Sequence, residues 1–237
     1  MTTLTPQSSR LLHPPEIWLV LQALGSVPVS AEAPPEITTD LRALAAARTH
    51  LLDQGLLLAG AQGRLEAAPE IEALVRPAAF PETVFMANIA DTAGRGDTAR
   101  LTCFSWTPAA CVVNWVDAAS DHHFERFAPQ AAAECIWEHL ASVCALDVDP
   151  PDLARPPLNP QEMQREIEQV RQTVLLTATQ AVRSAHPISE ALSWFVSGRR
   201  AWLMQNSDQG TAPAPHPAGI AELQQAVQAL VARALKG

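Results

Sequence analysis

The stretch LRALAAARTHLLDQGLLLAGAQGRLEAAPEIEALVRP, from Leu41 to Pro77, is the part of the chain that most directly indicates its fold. Its leucines recur at helical spacing as far as Leu52. Gly55 follows shortly afterwards and is typical of a residue that ends a helix. The first part of the stretch is therefore predicted to be one amphipathic helix.

The second part of the same stretch predicts a small hairpin and another helix. Residues 56–59 and 64–67 are two short segments on either side of residues 60–63, which contain two glycines and favour a turn. Pro69 is suited to open a helix, and Pro77 is expected to end it. Helix, two-stranded wing and helix in this order predict a winged-helix-like unit.

The residues before this stretch predict one further helix. Pro14 and the glutamate two residues later fit a first helical turn, and Gly25 fits its end. Residues 1–13 are expected to be frayed, and the proline-rich residues 26–35 to form a loop.

The region after the winged-helix-like unit carries the strongest β signal. Short apolar segments joined by short turns predict a mostly antiparallel sheet, with Val113 in a central strand. A helix with a buried apolar stripe is expected from Pro129 to Val143. The predicted strands are 84–90, 100–106, 110–117 and 122–127.

The last third of the chain is predicted to be helical with one β-hairpin. Apolar residues at three- and four-residue spacing predict a long helix from residue 161 to about Ala185. Segments 192–197 and 200–205 flank Gly198-Arg199, which suits a two-residue type II′ turn, although a helix is the alternative there. A proline-rich linker at 210–217 and a last helix at 220–235 complete the chain.

The predicted fold class is α+β. It comprises an N-terminal winged-helix-like unit, a mostly antiparallel sheet flanked by helices, and a helical C-terminal part that contains a β-hairpin. The proline-rich residues 147–160 are expected to be a linker between domains at 14–146 and 161–237.

Several sequence features carry a resemblance to a known family. They are Leu51-Leu52-Asp53-Gln54-Gly55-Leu56, Gly63-Arg64-Leu65, Ala73-Leu74-Val75-Arg76-Pro77 and the strands that follow. Over about residues 14–145, their order resembles the EspG-type chaperones of type VII (ESX) secretion. This resemblance implies a protein without enzymatic activity that holds a helical secretion substrate.

Composition excludes several classes of protein. The chain has 48% hydrophobic and 17% charged residues, which indicates a well-buried globular protein. Its net charge of −9 and the lack of a basic block argue against nucleic acid as a partner. The sequence shows no signal peptide and no membrane span, and the four cysteines lack a CxxC spacing, so a cytoplasmic protein with reduced cysteines is expected.

Few residues suggest chemistry. His122, His123, Cys135 and His139 include the residue types that bind zinc, but their spacing fits no zinc pattern, so no metal and no cofactor are predicted. The cysteines lack the signature of a catalytic nucleophile. No catalytic residue is therefore assigned.

The most distinctive candidate site lies at the predicted C-terminal hairpin. Trp194 and Trp202 flank Arg199 and Arg200, and aromatic residues with arginine are common anchors of protein interfaces. These four residues are predicted to bind a partner protein. In the alternative arrangement, both tryptophans pack into the core; a second place for a client is the exposed face of the sheet predicted at 84–127.

Two functions follow from these features. The first is a cytoplasmic protein-binding chaperone or adaptor for a secreted helical client. The alternative is a winged-helix transcriptional regulator with a C-terminal dimerisation or ligand-sensing module. For the regulator, the helix that would enter the DNA groove offers few cations, among them Arg42 and Arg48.

Overall fold

The computed structural model of the chain describes residues 4–25, 40–92, 98–144, 146–151, 159–180, 189–205 and 215–236. The helices are α1 (Pro14–Ala23), α2 (Leu41–Asp53), α3 (Pro69–Ala79), α4 (Ala132–Val143), α5 (Pro160–Glu168) and α6 (Ile220–Ala234). The strands are β1 (Ser8–Leu12), β2 (Leu57–Ala59), β3 (Leu65–Ala67), β4 (Thr83–Asp91), β5 (Thr98–Thr107), β6 (Ala110–Val116), β7 (His122–Phe127), β8 (Val170–Gln180), β9 (Ser189–Ser197), β10 (Arg200–Gln205) and β11 (His216–Ala218).

Most of these strands belong to one large antiparallel sheet. Within the described residues its strand order is β1-β7-β6-β5-β4-β8-β9-β10-β11, while β2 and β3 form a separate two-stranded sheet. The predicted α+β fold with a mostly antiparallel sheet is confirmed. All strands expected between residues 84 and 127 are present, with ends within two residues of the prediction.

The chain forms two compact units. Unit A comprises Thr5–Glu82 and Phe104–Pro129, and therefore contains α1, α2, α3 and the β2–β3 wing. Its core joins these helices to β6 and β7, through residues such as Leu51, Ile71 and Phe124. The winged-helix-like arrangement predicted from residues 41–77 is confirmed, with α3 packed on the sheet.

Unit B comprises Met1–Leu4, Thr83–Cys103 and Gln130–Gly237. Helix α4 packs on α6, and α6 in turn contacts β8 and β9. The predicted domain boundary at residues 147–160 remains a prediction, and residues 152–158 of it lie outside the described part of the chain, as does the loop predicted at 26–35.

The C-terminal hairpin is present as predicted. Strands β9 and β10 pair from Arg200 opposite Ser197 to Gln205 opposite Leu192. Gly198 has a φ of 56°, which a glycine adopts without strain and which the first position of a type II′ turn requires. The hairpin interpretation is therefore correct, and the helical alternative for this segment is wrong.

The long helix predicted from residue 161 to about Ala185 is wrong. Helix α5 ends at Glu168, and β8 follows from Val170 to Gln180. The side chains of β8 alternate between buried and exposed with a period of two, because one face of the strand lies on the core. Residues 181–188 lie outside the described part of the chain.

Three smaller expectations are also wrong. Ser8–Leu12 is not frayed, because it pairs with β7 as the strand β1. Pro77 does not end α3, which continues to Ala79; Pro77 lies inside the helix, where its ring has no N–H to donate to the carbonyl of Ala73. In the linker predicted at 210–217, residues 216 and 217 belong to β11, which pairs with β10.

Burial along β6 gives a test of the sheet. Val113 is 1% exposed and lies opposite Glu125 of β7. We expect Val113→Asp to lower the free energy of unfolding by about 3–5 kcal/mol, because it places an unpaired charge in the core and opposite a second carboxylate. Chemical denaturation followed by circular dichroism measures this.

Val116→Asp is the matched control, because Val116 lies in the same strand and is 49% exposed. We expect that variant to stay within about 0.5 kcal/mol of the wild type. Equal losses in the two variants would contradict the burial pattern described for β6.

Candidate functional site

The two tryptophans predicted to contact a partner are buried. Trp194 is 0% and Trp202 is 2% exposed. Trp202 stacks on Phe195 across the hairpin, with ring centroids 6.3 Å apart. In this conformation the indole rings pack inside the protein, as in the alternative arrangement considered above, and present no contact area to a partner.

The two arginines at the hairpin turn are already paired with carboxylates. Arg199 donates to Asp149 at 2.9 Å and to Asp147 at 3.1 Å, and the Asp149 bond raises the pKa of the guanidinium. Arg200 pairs with Glu166 of α5, whose side chain is only 6% exposed. Around the turn, three carboxylates therefore accompany the two arginines, so the turn presents no net positive charge.

One face of the sheet in unit B remains accessible. On β4 and β8 the buried side chains alternate with exposed ones, and Asn88 lies opposite Leu175 in the ladder. Met86 is 39% and Leu175 is 44% exposed. We call this surface the open face; its central residues are Met86, Asn88, Ala90, Thr173, Leu175, Thr177, Ala191 and Ser193.

The opposite face of the same strands is covered by helices. Arg233 of α6 donates to Glu190 of β9 at 2.8 Å, and the Gln180 side chain donates to the carbonyl of Ala234 at 3.0 Å. Because α6 packs on β8 and β9 and the alternate side chains of β4 are buried, the remaining side chains of these strands form a separate surface. None of the central residues of the open face is charged.

A groove borders the open face where α5 lies. Met163 and Ile167 of α5 form part of its wall, together with Leu175 and Met204 from the sheet. Its volume is about 810 Å³, and Ile167 is 52% exposed. The start of α5 is fixed by Asn159, whose side chain accepts the N–H groups of the first helical turn. The groove adds large, adaptable apolar side chains to the uncharged open face.

The sequence contains a signal for the open face that the helical interpretation missed. Thr173, Leu175 and Thr177 alternate with Gln172, Val174 and Leu176, which is the period of a strand with one buried face.

The histidines and cysteines named as possible zinc ligands do not form a cluster of ligands in the structure. Among the described residues, no group of three or more His, Cys, Asp or Glu side chains is placed to hold a metal ion. His139 is hydrogen-bonded to the Thr102 hydroxyl at 3.1 Å, and burial lowers its pKa to about 4. Burial raises the pKa of the Cys144 thiol to about 12, so this thiol stays protonated and unreactive.

The helix considered for DNA binding is α2. Arg42 and Arg48 are exposed on it, but His50 is bonded through Nδ1 to the buried carboxylate of Glu16 at 2.6 Å. Only two cations of this helix are therefore available to phosphates. No helix among the described residues is long and apolar enough to cross a membrane.

No protein-family model matches the chain, and no curated protein matches its sequence. Among solved structures it is similar to the Mycobacterium tuberculosis type VII secretion system chaperone EspG5, in a complex with a PE25–PPE41 dimer. The TM-score is 0.63 and the identity 11%, over 94% of this chain and 96% of that chain. At this identity the similarity shows the fold, so the resemblance predicted from the sequence is confirmed at the level of fold.

The pairing of Arg200 with Glu166 gives a test of how α5 is held. We expect Arg200→Glu to destabilise the protein by about 1–3 kcal/mol, because the buried Glu166 loses its donor and gains a like charge. Arg199→Glu is the control, since Arg199 is exposed and its partners are exposed as well. Thermal melts should show a clear decrease for Arg200→Glu alone; equal shifts would contradict this role of Glu166.

Proposed function

We propose that this chain is a cytoplasmic protein without enzymatic activity that acts as a chaperone or adaptor for a helical client, and that the client binds the open face. The observation that carries the proposal is the uncharged, partly exposed surface of β4, β8 and β9 beside the α5 groove. Exposed apolar surface of this kind is typical of protein-interaction sites.

The chemistry of the open face suits a helix. Met86, Leu175 and Ile167 are apolar and exposed, so they can pack against the apolar stripe of an amphipathic helix. Between them lie small side chains such as Thr177 and Ser193, which allow a partner to approach the sheet closely. A charged client surface would lose water here without gaining a counter-charge, so an apolar helical stripe is the preferred occupant.

The similarity in fold supports a protein as the partner. The solved structure is that of a chaperone in complex with a dimer of two other proteins. Transferred to this chain, that activity supports a protein client in secretion. The same comparison offers no support for the winged-helix regulator.

The hairpin turn remains a second proposed contact. The Arg199 side chain is 60% exposed although it is paired, so it can exchange Asp147 or Asp149 for a carboxylate on the client. Trp194 and Trp202 would then act from the interior by holding the hairpin in place.

The open face can be tested by adding charge to it. We expect Leu175→Asp combined with Met86→Asp to abolish capture of the client, because two carboxylates would be buried at the contact. The full-length chain is used to purify interacting proteins, which are identified by mass spectrometry. The interaction is then measured by calorimetry with the purified client, whose helical content is determined by circular dichroism.

Leu58→Asp is the control, because Leu58 is 47% exposed but lies on the β2 strand of the wing. It should leave the affinity unchanged, and all variants should keep the melting temperature of the wild type within a few degrees. Unchanged affinity of the open-face variant would place the client elsewhere, and a client that lacks helices would contradict the proposed class.

Binding to DNA distinguishes the regulator from the chaperone. With a net charge of −9 and only Arg42 and Arg48 available on α2, we expect no retardation of duplex DNA at physiological salt. A gel shift at sub-micromolar protein that weakens as salt increases would instead favour the regulator.

A further inference from the structure

A second groove lies in unit A and is lined only by residues of that unit. One wall is the exposed side of α3, and the other is the turn between β5 and β6 together with Arg126 of β7. We call it the α3 groove; its volume is about 510 Å³. The apolar part of its lining comprises Pro69, Ala73, Pro77, Phe80, Ala109 and Ala110.

Arg126 is the unusual residue of this groove. Its guanidinium donates to the side-chain oxygen of Gln7 at 3.0 Å and to the carbonyl of Ala109 at 3.4 Å. Its Nε is buried without a hydrogen-bond partner. No ion pair with a carboxylate is present for it among the described residues, so a partly buried positive charge faces the groove with neutral hydrogen-bond partners.

The other charges of the groove compensate each other. Arg76 pairs with Glu72 at 2.7 Å, and its guanidinium lies over the ring of Phe80. The lining therefore has one net positive charge in a protein with a net charge of −9. A partly buried cation that lacks a counter-charge gains most from an anion that arrives with its own apolar surroundings.

The form of the groove indicates the size of its ligand. Phe80 is 48% exposed, and Ala73 is exposed on the outer side of α3. Pockets for small molecules enclose most of their ligand. The walls of the α3 groove are too exposed to do so. A ligand of this groove must therefore gain part of its affinity from contacts outside it, as a segment of a larger protein can.

We propose that the α3 groove binds a peptide segment of a partner protein in which an acidic residue lies beside apolar residues. The carboxylate pairs with Arg126, and the apolar neighbours pack on Phe80, Ala73 and Pro77. This site is independent of the open face and would exist even if the open face binds nothing.

The probe is a pair of peptide arrays. In the first, each ten-residue peptide has one central Glu flanked by varied Leu, Ile, Val, Met and Phe; in the second, Gln replaces the Glu. The full-length chain is applied to both, and the best pair is then titrated in solution by fluorescence anisotropy. For the wild type we expect the Glu peptide to bind about tenfold more tightly than its Gln counterpart.

Two variants examine the site in different ways. Arg126→Gln removes the cation, and Arg64→Gln removes an exposed arginine elsewhere in unit A. Ala73→Glu adds a carboxylate at an exposed helical position of the groove, and Ala45→Glu makes the same change on an exposed position of α2. The tenfold preference for Glu should disappear in Arg126→Gln and Ala73→Glu and persist in both controls.

Three results would overturn the proposal. They are a wild type that does not prefer Glu, a preference that survives in Arg126→Gln or in Ala73→Glu, and a preference that both controls lose as well. Ala73→Glu also keeps the test valid if Arg126→Gln does not fold, because it leaves every contact of Arg126 in place. Hexanoate is added as a competitor; displacement of the peptide at equal concentration would show a small-molecule site and overturn the assignment to a peptide.

Discussion

The antiparallel ladder between β4 and β8 is the constraint on which the candidate site depends. It runs without interruption from Thr83 opposite Gln180 to Asp91 opposite Gln172. Because paired residues of such a ladder share a face, Met86 and Thr177 lie on the open face while Ala87 and Leu176 lie on the core. A shift by one residue would bury Leu175 and expose Leu176, so the hydrophobic core itself fixes which side chains a partner can reach.

The strand β8 shows where a prediction from sequence fails. Val170, Val174 and Thr177 recur at helical spacing, and the same segment alternates with a period of two. Periodicity alone does not separate these alternatives, although the β-branched valines and threonines favour a strand. What fixes the strand is its pairing with β4, which is far away in the sequence. The N-terminal strand β1 could not be predicted for a similar reason, since it is held by residues distant in sequence: it pairs with β7, and its Leu12 is buried in the core.

For the C-terminal hairpin, the sequence was sufficient to predict the backbone but not the surroundings of its side chains. Its turn could be predicted because Gly198 has a local conformational role. The surroundings of its side chains could not, because they come from residues that are not neighbours in sequence. Glu166 of α5 pairs with Arg200, and Asp147 and Asp149 pair with Arg199. A pattern of two tryptophans and two arginines is therefore compatible with an interface and equally with a closed, internally paired hairpin.

Arg126 differs both from the arginines that form ion pairs and from exposed ones such as Arg42, because its guanidinium is partly buried and has no carboxylate partner. The chain contains 25 acidic and 16 basic residues, so carboxylates are plentiful. The described ion pairs include Arg10 with Glu70, Arg76 with Glu72, and Arg233 with Glu190. Partly burying a guanidinium against neutral oxygens alone costs free energy that a neighbouring carboxylate would offset. In the α3 groove the carboxylate of Glu72 is paired with Arg76, so the guanidinium of Arg126 has no carboxylate partner there. This is the electrostatic state expected of a site whose counter-charge arrives with a ligand.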